Sequence, residues 1–174
     1  MKIDRNKVKL FLMNFDEAHR TAGLLRSSYS RLRPLMPLTG EKMSRFDDEE
    51  LDRLDAFRVR FGDLQDLIGA KLFRSILSLE EEVIGSQLDS INKMEKRGII
   101  PSFEAWKEIR DIRNLFIHDY PDDDEQRAVS LNIAYESVSQ LIDVFNAIRE
   151  YVERKLHISL DKFTEISISD GDGR

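Results

Sequence analysis

"LNIAYESVSQLIDVFNAIREYV", residues 131–152, decides the fold. Leu131, Ala134, Val138, Leu141, Phe145, Ile148 and Val152 recur at alternating steps of three and four, with Tyr135 and Ile142 widening the stripe. That spacing is the period of a helix with one apolar face. The stripe is wide enough to serve a core and a partner helix at once, a core alone being the simpler reading. Asp122 to Asp124 stand where a helix start favours acids.

The same period recurs upstream. Phe11, Phe15, Ala18, Ala22, Leu25, Tyr29 and Leu32 form one stripe, ended by the prolines and glycine of "RPLMPLTG". From Leu51 through Phe57, Phe61, Leu64, Ile68, Leu72 and Ile76 to Leu79 a second runs on, started by Asp47 or Asp48, and reads as the longest element. Gly62 and Gly69 weaken it without breaking its period. "SQLDSINKMEKRG" reads as a short helix with Leu88, Ile91 and Met94 inward and Gly98 as its stop. Ser102 caps "FEAWKEIRDIRNLFIH", which Tyr120-Pro121 closes, since a residue before proline avoids the α region. The expectation is an all-α protein: an antiparallel up-down four-helix bundle with one extra short helix. Residues 1–156 form the single domain. Residues 157–174 form an extension, in which "HISLDKFTEISIS" reads as a short strand or an extended tail and "DGDGR" as disordered.

Composition narrows the function. The chain of 174 residues has a formal net charge of −6, which argues against coating nucleic acid by bulk electrostatics but leaves room for one local phosphate site. No apolar run is long enough to span a bilayer, and the N-terminus lacks the layout of a signal peptide. The chain has no cysteine, which excludes disulfides and thiolate metal sites and makes a reducing cytoplasm the simplest home.

"RNLFIHDYP", residues 113–121, carries the densest chemistry. On a helical wheel Trp106, Ile109, Ile112 and Phe116 share the apolar side, while Arg110, Asn114 and His118 form a polar column beside it. Arg113 falls on the flank of the apolar face. A guanidinium there needs a carboxylate or a bound anion, and Asp63 and Asp66, three apart, are the candidate partners. A plain interhelical salt bridge is the competing reading. His118, at the helix end, suits general acid–base work near neutral pH, or simply a bond to free carbonyls. His19 reads as a solvated helix position and His157 as a terminal residue.

These residues resemble a known signature. Arg113, Asn114, His118 and Tyr120 match the R-N-x-x-x-H-x-Y form of HEPN domains, specifically HepT-like toxins, and "GIIP" upstream is similar to that branch as well. The close likeness covers about thirty residues. It implies a metal-independent endoribonuclease acting as the toxin of a toxin–antitoxin pair, needing no cofactor. Its partners would be an RNA substrate, a second copy of itself and a cognate minimal nucleotidyltransferase antitoxin. Carried over, Arg113 and His118 are catalytic, Asn114 is supporting, and Tyr120 accepts AMP from the antitoxin. Asp63 and Asp66 stay inferences from spacing, as supporting residues. The chemistry is coherent. RNA supplies its own 2′-OH nucleophile, Arg113 can clamp phosphate, and His118 can move a proton. One histidine is short of an acid and a base, so a two-fold dimer pooling two motifs is expected. The alternatives are a HEPN subunit that binds nucleotide or docks a transferase without cutting, and a bundle in which the motif is purely structural.

Overall fold

The computed structural model of the protein describes residues 4–168. Four long helical rods carry it. The first, α1 (Arg5–Leu32), is capped by the Asp4 carboxylate, which accepts from the Asn6 amide. A single 3₁₀ turn (Arg33–Leu35) and the short α2 (Gly40–Met43) lead to α3 (Asp48–Asp66). Asp47 rather than Asp48 caps α3, in a box closed by Glu50. A π-helical turn, Leu67–Leu72, joins α3 to α4 (Phe73–Leu79). Then come α5 (Gln87–Lys96), α6 (Phe103–His118) and α7 (Asp124–Leu156).

Neighbouring rods run antiparallel, as cross-links show. Asn14 meets Ser75 at 3.0 Å and Ser28 meets Arg60 at 2.6 Å, so α1 opposes α3–α4. Phe15 stacks on Phe145 and Tyr29 on Tyr135, so α1 opposes α7 as well. The architecture is all-helical among the described residues, an up-down bundle of four rods with α5 packed at one end. No helix among those residues is long and apolar enough to cross a membrane.

The stripe of α7 is fully used inside the molecule: from Leu131 to Val152 its seven positions are at most 1% exposed. The link between α1 and α3 is tied to α7 by an amide pair. The Leu38 N–H donates to Asn132 Oδ1 at 2.8 Å, and Asn132 Nδ2 donates back to the Leu38 carbonyl at 2.9 Å.

Four expectations need correction. Residues 48–79 are not one regular helix, because the π turn interrupts them, and the longest element is α7, with 33 residues. The turn lets the backbone at Gly69 pass close under Trp106, where a Cβ would stand 3.2 Å from Cζ2. Leu88 does not face inward; it is 54% exposed, leaving Ile91 and Met94 to hold α5. The core does not stop at residue 156. The extension forms no strand among the described residues, but Leu160, Phe163 and Ile166 are buried in the common core. His19 is not merely solvated, since its Nε2–H donates to the Thr164 carbonyl at 2.7 Å and so pins that extension. The reading of "DGDGR" as disordered falls outside the described residues. His157 ends α7 in the left-handed region, with φ 54°.

Candidate functional site

Helix α6 begins as its sequence dictates. The Ser102 hydroxyl accepts from the Ala105 amide at 3.0 Å, and the Glu95 carboxylate takes the Phe103 amide at 2.9 Å. Trp106, Ile109, Ile112 and Phe116 are buried against the other rods. That rotation decides where the polar residues go.

Arg113 lies on the flank of the buried face, as the wheel requires, and reaches α3. Its Nη2 donates to Asp66 Oδ2 at 2.6 Å, and its Nη1 to Asn114 Oδ1 at 3.1 Å. Its stem passes close to Gly62, where a Cβ would lie 3.7 Å from Arg113 Cγ, an ordinary contact. Arg113 Nε is buried without a partner among the described residues. The guanidinium therefore faces α3 and borders a cleft of about 550 Å³ lined by α1, α3 and the π turn. Glu17, Asp63, Asp66 and Lys71 line that cleft with it. Lys71 is itself paired with Glu17 at 2.8 Å. Three carboxylates thus stand against two cations. The Asp63 carboxylate has no hydrogen bond or ion pair among the described residues. Burial first, then the charges of Asp66 and Glu17, push its carboxyl above the ordinary carboxylate range.

His118 is the last residue of α6 and is exposed. Its imidazole makes no hydrogen bond or ion pair to the described residues. Five positions separate it from Arg113, a turn of roughly 140° about the axis, so the two side chains leave α6 on different sides. One chain brings together Arg113, Asn114, Asp66 and Asp63, but does not add His118 to them.

Tyr120 is half-buried and clamped. The Arg58 guanidinium lies 4.4 Å from its ring centroid and that of Arg127 5.3 Å, while Phe116 meets it edge-on at 5.9 Å. Burial raises the hydroxyl's pKa, outweighing the two arginines, which pull it down. Asp123 caps α7 by accepting the Gln126 amide at 2.9 Å, while Asp122 and Asp124 lie 3.9 and 3.7 Å from Arg127. Among the described residues no group of three or more His, Asp or Glu side chains is placed to share a metal ion.

Sequence reasoning missed Arg58, Arg127 and Lys71. Their only local signal is a cation beside an apolar position, as where Arg58 follows Phe57, and many surface arginines share it. No protein-family model, characterised protein or solved structure matches the chain.

Proposed function

We propose that the chain is a cytoplasmic, metal-independent endoribonuclease of the HEPN type, the toxin of a toxin–antitoxin pair. The observation that carries this reading is one helix presenting two different tools. Arg113 is gripped at the edge of a cleft, with Asp66 and Asn114 holding its fork, and His118 stands ungripped at the solvent-facing end. A gripped guanidinium suits orienting a phosphodiester through its free edge. An ungripped imidazole suits taking a proton from the 2′-OH, or giving one to the departing 5′-oxygen. Attack of the 2′-oxygen on phosphorus, with loss of the 5′-oxygen, leaves a 2′,3′-cyclic phosphate and a 5′-hydroxyl.

Because the side chains diverge on one chain, the reading requires a second copy. A two-fold dimer would set the His118 of one chain against the Arg113 of the other and supply both an acid and a base. It would also raise the share of positive charge at a cleft that is acidic in the single chain. Tyr120, clamped beside this end of α6, is the acceptor for AMP from a nucleotidyltransferase partner, and an added phosphate there would compete with substrate. One observation favours the non-cutting alternative: three carboxylates at the cleft repel a polyanion.

The test is cleavage of a labelled RNA in the presence of a chelator by wild-type protein, Arg113→Ala and His118→Ala, each with its sedimentation behaviour recorded. Wild-type cutting as a dimer, lost in both variants, supports the proposal. RNA or nucleotide binding without cutting turns it to the alternative reading, and full activity in His118→Ala or in a monomer refutes the mechanism.

A further inference from the structure

We propose that Arg58 is a positioning residue that sets His118 in its working orientation, acting from α3 through the backbone of α6 and the ring of Tyr120. This rests on the nuclease reading above and names a residue of the same site.

The last carbonyls of a helix have no partner within it, and α6 ends without a glycine cap. The Asp119 amide returns to the Leu115 carbonyl at 3.1 Å, which leaves the next carbonyl, that of Phe116, open. Arg58 fills the gap from another rod: its Nη1 donates to Phe116 O at 2.7 Å, across 58 residues of sequence. The same guanidinium lies over the Tyr120 ring at 4.4 Å. One side chain therefore holds the residues two before and two after His118, while the imidazole itself has no hydrogen bond or ion pair among the described residues. Arg58 Nη2 also donates to Asp55 Oδ1 on its own helix, at a longer 3.4 Å, and Arg58 Nε is buried and unpartnered among the described residues, so the shortest bond of the guanidinium is the one to the end of α6. Arg127, from α7, adds to the grip, with its Nε donating to the Pro121 carbonyl and its guanidinium 5.3 Å from the Tyr120 ring. A three-quarters buried arginine bound to a helix end and a ring fixes the direction in which the residue between them leaves the helix.

The experiment compares wild type, Arg58→Met and Arg58→Lys by two readouts. Methionine keeps the stem but loses every donor and the charge; lysine keeps a charge but cannot bond the carbonyl and cover the ring together. Amide hydrogen exchange is read across 115–121. In Arg58→Met these amides should exchange faster while α1 and α7 keep their protection, and Arg58→Lys should lie between. In RNA cleavage, kcat should fall about 100-fold with KM little moved, because substrate binding survives and alignment does not. Unchanged exchange across 115–121 in both variants overturns the inference whatever the RNA result. So does faster exchange with undiminished kcat. If wild type cuts no RNA, the nuclease reading fails and with it the role of Arg58 in alignment, while faster exchange in the variants would still show the grip to be real. Should Arg58→Met fail to fold, the lysine variant decides by the same two criteria.

Discussion

Exchanging Asp66 for Asn removes the charge that faces Arg113 while keeping side-chain shape and near-equal helix propensity. The pair meets at 2.6 Å with Arg113 23% and Asp66 44% exposed. A charge-assisted hydrogen bond contributes about 1.5–3 kcal/mol when sheltered, and an exposed pair about 0–1 kcal/mol. With one partner sheltered and the other nearly half in solvent, solvent screening brings the pair to about 1–1.5 kcal/mol. Losing the Asp66 charge also relieves Asp63, whose carboxyl that charge holds up, and this offsets a few tenths of a kcal/mol, by about the scale of neighbouring like charges. Asp66→Asn should therefore cost about 1 kcal/mol, a fall in Tm of about 3 °C for a chain of this size. The assay is a double-mutant cycle with Arg113→Met in thermal or urea unfolding, where a coupling of about 1 kcal/mol is expected. Additivity within about 0.3 kcal/mol would show that the two groups act independently and would refute the reasoning. The cycle also separates structure from function. If Arg113 serves a phosphate, Asp66→Asn should bind RNA at least as well as wild type, since the fork is released, whereas Arg113→Met should bind it less well.

Two further outcomes follow from the same geometry. A carboxyl whose folded-state pKa is raised weakens the fold once ionised, so this contribution is absent below the ordinary aspartate pKa, develops as pH rises from there through the raised folded-state pKa, and is constant above it. Asp63→Asn should accordingly raise Tm at pH 7, with the gain vanishing below the ordinary aspartate pKa in a pH series of melts; an equal gain at every pH would contradict the assignment. At Gly69, alanine suits a regular helix better by about 1 kcal/mol, but the new Cβ would stand 3.2 Å from the Trp106 ring in the π turn. Gly69→Ala should therefore lose about 1 kcal/mol net with a shifted Trp106 emission, and a stabilised variant with unchanged emission would show that the ring yields freely.

Much of the architecture was legible because helices are local objects. The stripe at 131–152, an acidic cap at Asp47 or Asp48, the Ser102 cap and the stop at Gly98, which takes φ +69°, all depend on groups within a few positions of each other. The wheel likewise placed Arg113 on the flank of the buried face of α6, because burial of Trp106 and Phe116 sets that helix's rotation. It could not separate Asp63 from Asp66, which share a side of α3. The choice turned on how the two rods slide past each other, and it left one acid bonded and the other alone.

What the amino-acid order determined by itself was the all-helical class, the course of the long rods and the buried face of α1, α6 and α7, because those follow from hydrogen bonds and apolar spacing along one stretch of chain. What only packing decided was the company of the motif. Arg58 reaches the end of α6 across 58 positions and Asp66 reaches Arg113 across 47. The extension enters the core through Leu160, Phe163 and Ile166. Such pairings depend on the relative rotation and offset of whole rods. Those are fixed by the combined shape of all the buried side chains, and no local spacing carries that information.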